Sequence, residues 1–163
     1  MHFITKKFGT FKNLQKIGQG GQSDIYIGYL DFKNNEMRPL VFKKFKETRY
    51  SNNELNMLKK LGYHKNIIKL IDTGIIMNEK LEQMQGNLLV YKYYNKGDGM
   101  NFTDDNHSIN IYDTCKEVDK HIAPLWEAIA YAHSKGITHR DIKPENMLVK
   151  LDNNQIVSSS AEY

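Results

Sequence analysis

One short stretch, His139-Arg140-Asp141-Ile142-Lys143-Pro144-Glu145-Asn146, places a carboxylate, an ammonium and a carboxamide close together, with Lys143 two and Asn146 five positions after Asp141. Such a set suits phosphoryl transfer, where the protein's work is positioning and charge stabilisation more than covalent chemistry. Asp141 can accept or orient the proton of an attacking hydroxyl. Lys143 can neutralise charge on phosphoryl oxygens, and Asn146 can offer its amide oxygen to Mg2+.

A loop of this kind has to be held between regular elements. Upstream, Val118, Ile122, Leu125, Ile129 and Ala132 recur at steps of four, three, four and three, which predicts a helix from about Ile111 to His133 with one apolar stripe. Pro124 falls inside that pattern and is expected to kink or divide the helix. The polar segment from Gly97 to Ser108 reads as a connection.

From Phe11 to Tyr94 the pattern is one of short strands around a single helix. Phe11 to Ile17 alternates with period two, Gly18 to Gly21 breaks it, and Asp24 to Leu30 resumes an extended run. The three together predict a hairpin with a glycine tip. After a turn containing Asn34-Asn35, Pro39 to Phe45 reads as another strand. Ser51 is the expected N-cap of a helix, with Glu54 three residues on and Leu55, Leu58 and Leu61 spaced behind it until Gly62. Ile67-Ile68, Ile75 to Met77 and Leu88 to Tyr91 read as further strands.

The eight residues from His139 to Asn146, followed by the apolar Met147-Leu148-Val149, resemble the catalytic loop of eukaryotic protein kinases, and Lys143 resembles the serine/threonine branch. A solvated polar turn explains one aspartate well but an eight-residue pattern poorly. Gly18-Gln19-Gly20-Gly21-Gln22-Ser23-Asp24-Ile25 is similar to the family's glycine-rich loop, with Ser23 in place of its third glycine and Gly21 as an extra one. Leu40-Val41-Phe42-Lys43 resembles the strand whose lysine holds the α- and β-phosphates. Lys44 is adjacent, and strand parity favours Lys43, since Val41 then shares its face while bulky Phe42 points away.

The resemblance implies that Glu54 pairs with Lys43, although only eleven positions separate them, a spacing short enough to leave the first turns of the helix missing or strained. It also implies that Tyr91 stands at the gatekeeper position and that backbone groups from Lys92 through Tyr93 to Tyr94 face adenine. Asp98 would bind a ribose hydroxyl. The implied nucleotide contacts are thus Ile17, Gly18, Gly20, Gly21, Ser23, Ile25, Val41, Lys43, Glu54, Tyr91, Tyr93 and Asp98, with ATP and Mg2+ as cofactors. Asp141, Lys143 and Asn146 are the implied catalytic set, Asn146 being the metal ligand.

The fold expected from this likeness is α+β and protein-kinase-like. Residues 1–94 would form a β-rich small lobe with one helix, and 95–163 the connection, first long helix and catalytic loop of an incomplete helical large lobe. After Val157 the likeness stops, because no Asp-Phe-Gly occurs in the sequence. The leading expectation is a serine/threonine protein kinase acting on ATP and a protein substrate, inactive as this chain alone and with its helical stripe left exposed. A non-catalytic, pseudokinase-like binding module is the alternative. A small-molecule kinase is a third reading, disfavoured by Lys143-Pro144-Glu145.

Composition narrows the class. The 163 residues are 40% hydrophobic and 26% charged, ordinary for a folded domain, and the net charge of +4 is spread without an aromatic-interleaved basic run, so nucleic-acid binding is not indicated. No run of about 18 apolar residues suggests a membrane span, and Met1 to Gly9 has no signal-peptide core. The single cysteine, Cys115, fits a reducing compartment, which suggests a cytoplasmic or nuclear setting. Oligomeric state is not legible.

Overall fold

A computed structural model describes residues 1–32, 36–84, 86–94, 111–143, 146–150 and 155–158. The chain divides into two compact units, one of residues 1–58 and 69–93, the other of 59–68 and 94–163. The architecture is α+β, with a β-rich unit bearing one helix and a second unit built on a long helix. Among the described residues no helix is long and apolar enough to cross a membrane.

In the first unit seven strands form one sheet in the order β2-β1-β6-β7-β5-β4-β3. They are β1 (His2–Thr5), β2 (Gly9–Phe11), β3 (Gln15–Gln19), β4 (Ser23–Phe32), β5 (Glu36–Phe45), β6 (Leu70–Met77) and β7 (Leu88–Lys92), and every neighbouring pair is antiparallel. Period-two alternation sends Leu40 and Phe42 of β5, Tyr26 of β4, and Leu88 and Val90 of β7 into one core with Phe3, Phe11 and Ile76. Phe3 meets Tyr26 edge-on at 5.2 Å and Phe11 lies 4.7 Å from Phe42, ring centre to ring centre. Burying such side chains is worth about 1.5–3 kcal/mol each. Val41, Lys43 and Tyr91 are thereby left to the opposite face.

Three local expectations are corrected here. Phe11 and Ile17 do not share a strand, because Asn13 takes φ +53 and turns the chain, so Phe11 closes β2 against the core. The first nine residues, which carried no strand expectation, supply β1, and Phe3 pairs with Ile76 across the sheet. Ile67-Ile68 lie outside any strand, in a turn where the Ile67 N–H donates to the His64 carbonyl at 3.2 Å; β6 begins at Leu70.

The helix α1 (Thr48–Leu61) starts before its expected cap. Ser51 lies within the first turn, buried, and its Oγ donates to the Thr48 carbonyl at 2.8 Å. The short spacing between Lys43 and Glu54 therefore removes no helix. It is absorbed by the connection, since only Lys46 and Glu47 separate β5 from α1. Gly62, at φ +72, ends the helix in the left-handed conformation that glycine adopts without steric cost.

The second unit contains α2 (Ile111–Ser134) and an antiparallel hairpin of β8 (Met147–Lys150) and β9 (Gln155–Ser158). Pro124 does not divide α2, which is continuous across it. The expected exposed stripe is also corrected: Leu125, Ile129 and Ala132 are buried, as is Ala128. Within the second unit α2 contacts β9, and residues 59–68 belong to the same unit. Tyr131 Oη donates to the Leu61 carbonyl at 2.6 Å, the His64 and Tyr131 rings stack at 4.7 Å, and Asn66 Nδ2 donates to the Pro124 carbonyl at 3.0 Å. The side chains of Val118 and Ile122, the 97–108 connection with Asp98, and Asn34-Asn35 lie outside the described residues.

Candidate active site

Strand register builds one group of candidate site residues, in the first unit. Val41 pairs with Tyr91 and Lys43 with Leu89 across β5 and β7, while Ile25 pairs with Lys43 across β4 and β5. Cross-strand partners share a face, so Ile25, Val41, Lys43 and Tyr91 stand together. Lys43 Nζ reaches Glu54 Oε2 of α1 at 2.6 Å, and the Phe45 ring centre lies 5.1 Å from the same ammonium. Lys44, on the other face, places its Nζ 3.5 Å from Met1 Sδ. The resemblance placed Tyr91 at the gatekeeper position and gave its hydroxyl no partner. Tyr91 Oη donates to Glu54 Oε1 at 2.5 Å, and burial first, then the adjacent carboxylate, push the phenol well above its ordinary pKa.

The glycine-rich segment forms the tip of the β3–β4 hairpin. Gly18 pairs with Ile25 after a register shift that follows Lys16, and the Gly20 N–H donates to the Ser23 carbonyl at 2.8 Å. Lys46, in the connection to α1, fixes the tip from outside: its Nζ donates to the Gly20 carbonyl and its N–H to the Gln22 carbonyl, both at 2.9 Å. A side chain at Gly21 would meet nothing within 4 Å, which leaves that backbone open to a ligand. Ile17 is exposed on β3, and Tyr93 is half-buried just past β7.

A second group, in the other unit, lies on the loop between α2 and β8. Arg140 takes φ +64, a left-handed turn that is costly for a side-chain-bearing residue. His139 is buried beneath it, and its Nδ1 accepts the Asp141 N–H at 3.3 Å. Asn146, also buried, donates from Nδ2 to the Asp141 carbonyl and to Asp141 Oδ2, each at 2.8 Å. Lys143 Nζ lies 2.8 Å from the same Oδ2. Lys143 first and Asn146 second hold the Asp141 carboxyl below the usual carboxylate range. Asp141 is therefore an ionised acceptor fixed by two donors. Pro144 and Glu145 lie outside the described residues.

The sequence matches the protein kinase domain model over residues 11–157. The chain belongs to the protein kinase domain family. It is 32% identical over 146 residues to a probable serine/threonine-protein kinase of Dictyostelium discoideum, covering 88% of this chain and 22% of that protein. A probable casein kinase II subunit alpha homolog of Encephalitozoon cuniculi is 29% identical over 138 residues, 83% of this chain and 37% of that protein. A probable serine/threonine-protein kinase of Arabidopsis thaliana is 27% identical over 165 residues, covering 93% and 20% respectively. The chain thus spans between about a fifth and just over a third of the length of these relatives.

Within this kinase domain the structure brings Lys43, Glu54 and Tyr91 together in one unit, and Asp141, Lys143 and Asn146 together in the other. Asp98 lies among the residues not described. Among the described residues no three His, Cys, Asp or Glu side chains are grouped to hold a metal ion. Sequence reasoning missed the hydroxyl of Tyr91 as a partner for Glu54, a relation that needs the β5–β7 register. It also missed His139 as the buried acceptor under the loop, for which its place two residues before Asp141 was a usable hint.

Proposed function

We propose that the chain forms the nucleotide-binding elements and catalytic loop of a serine/threonine protein kinase, moving the γ-phosphoryl group of ATP to a Ser or Thr hydroxyl of a protein substrate. The observation that carries this reading is the Asp141 carboxylate, held at 2.8 Å by both Lys143 and Asn146. Asp141 orients the incoming hydroxyl and takes up its proton as the new oxygen–phosphorus bond forms. The bond from the γ-phosphorus to its bridging oxygen breaks, and ADP departs with that electron pair. Lys143, which lies 2.8 Å from Asp141 Oδ2, would release Asp141 and neutralise the transferring group.

Lys43 would hold the α- and β-phosphates, and Glu54 keeps its ammonium in place. The backbone of Gly18, Gly20 and Gly21, with Ser23, would cover the phosphates, Gly21 being the open one of the three, while Ile17, Ile25, Val41 and Tyr93 would contact the base. Asp98 is assigned to the ribose. Asn146 is a fitting Mg2+ ligand, because its Nδ2 turns to Asp141 and so sets its hard amide oxygen on the other side. Bound Mg2+ would neutralise charge on the phosphate oxygens. The single cysteine supports an intracellular setting, cytoplasmic or nuclear.

Because the sequence holds no Asp-Phe-Gly, the 163-residue chain alone is assigned nucleotide binding without turnover. The test is a chimera in which residues 1–158 are followed by the Asp-Phe-Gly segment and helical remainder of a serine/threonine relative, assayed for phosphate transfer to Ser, Thr and Tyr peptides. Transfer to Ser or Thr that drops at least about 100-fold in Asp141→Asn, with ATP affinity kept, is the expected result. ATP binding without transfer would assign the binding-module function instead.

A further inference from the structure

We infer that Tyr91 is a positioning residue of the nucleotide site, acting through Glu54 to hold Lys43 where phosphate would meet it. The inference rests on the nucleotide-site reading above and adds to it a third member that reaches the pair from a different strand.

Three elements of the first unit converge on one carboxylate. Glu54 comes from α1, Lys43 from β5 and Tyr91 from β7. The carboxylate divides its oxygens between the two strands, Oε2 to Lys43 Nζ at 2.6 Å and Oε1 to Tyr91 Oη at 2.5 Å. Tyr91 is 3% exposed and Glu54 8%, so water does not substitute readily for either bond.

The two donors constrain Glu54 differently. A lysine ammonium is a point charge on a flexible stem, and it accepts a carboxylate from many directions. The Tyr91 ring is rigid and packed, so its hydroxyl offers one direction, which fixes the rotation of the carboxylate as well as its place. Burial and the neighbouring carboxylate keep the phenol protonated, so the hydroxyl remains a donor.

The bond also does not depend on where Lys43 points. When the ammonium turns towards a phosphate, Tyr91 still holds Oε1, and α1 keeps its register against the sheet. Glu54 is then pre-organised at no cost from the nucleotide, which is how fixed geometry raises affinity.

The test measures ATP affinity of the whole 163-residue chain by calorimetry, with thermal unfolding in parallel, for the unsubstituted protein and for Tyr91→Phe, Glu54→Ala, the double variant and Lys43→Met. Tyr91→Phe keeps the ring and removes only the donor. The expected result is a roughly three- to tenfold loss of ATP affinity with Tyr91→Phe, and no further loss when it is added to Glu54→Ala. A packing role would instead weaken binding equally in both backgrounds, and that result would overturn the inference. Unchanged affinity in Tyr91→Phe, while Lys43→Met binds weakly, overturns it too and leaves the nucleotide site standing. Absence of ATP binding by the unsubstituted chain, or equal binding by Lys43→Met, refutes the nucleotide site itself, and the positioning role falls with it.

Discussion

The backbone N–H of Lys7 donates to Asp72 Oδ2 at 2.7 Å, a bond that spans 65 residues and ties the N-terminal hairpin to β6. The other oxygen of Asp72 accepts the Thr73 N–H at 2.8 Å, and Lys7 Nζ reaches the Ile71 carbonyl at 3.1 Å. Asp72 is buried, so this carboxylate is a fixed post for the β1–β2 turn. Asp72→Ala should cost about 1.5–3 kcal/mol, the range for a hydrogen bond to a charged group. Urea unfolding measures the loss, and limited proteolysis should locate the first new cut in residues 5–9. Unaltered stability would mean that the hairpin is held by Phe3 and Phe11 alone.

The same edge of the sheet sets a steric limit at Gly74. A Cβ there would stand 2.3 Å from the Ile4 carbonyl oxygen, a backbone atom that cannot rotate away. Gly74→Ala should therefore push β1 off β6 and destabilise the protein by about 1–3 kcal/mol. Hydrogen exchange at Phe3 should accelerate with it. Gly21→Ala, which meets nothing within 4 Å, is the matched control and should leave the unfolding midpoint in place.

Lys43 and Lys44 are neighbours in sequence and opposites in space. Lys43→Met should lower ATP affinity by at least about tenfold, whereas Lys44→Met should stay within about twofold. Isothermal titration of both variants decides the matter. The reverse order would place the phosphate-facing side of β5 on the Phe42 face and require every residue of that strand to be reassigned.

Asp141 carries a pH prediction. Its pKa is lowered by Lys143 first and Asn146 second, so it stays ionised at pH values where an ordinary aspartate takes up a proton. A folded pKa below the unfolded one gives stability that is present above the unfolded value and is lost as pH falls through the folded value. Lys143→Met removes the larger cause, so the Asp141 titration should move upward, towards the usual carboxylate range. Carbon-13 NMR of the side-chain carboxyl follows it directly, and the acid limb of phosphate transfer in the chimera should move the same way. A titration that does not move would show that Lys143 leaves Asp141 in solution.

Much of this was legible in the sequence because it is local. The alternation of Val41, Phe42 and Lys43 separates the two faces of β5 without reference to any other strand, and the stripe of α2 follows from spacing alone. The Asp141 loop was legible because its three groups lie within six consecutive residues. What was missed is non-local. Residues 2–5 show weak alternation by themselves and become a strand by pairing with β2 and with β6, the latter more than 65 residues away. Asn13 sat inside an alternating run and was read as extended, although asparagine is among the few residues that enter the left-handed region cheaply. The Tyr91 hydroxyl needed the register of three elements, none of which a spacing rule supplies.

The connection between β5 and α1 has a mechanical meaning. From Phe45 to the start of the helix at Thr48 the chain can extend by at most about 11 Å, so the first turn of α1 is on a short leash to the strand that carries Lys43. A helix on a long loop can slide out and return; this one can only swing about its tethered end. Glu54 sits six residues from the tether, close to the pivot, where a given swing moves it least. Displacing it from Lys43 by any large distance would require unwinding the first turn, with the loss of the hydrogen bond from Ser51 to Thr48. Brevity in this linker thus acts as a latch on the helix, one that could be released by inserting residues between Lys46 and Glu47 while every side chain of the site is left as it is.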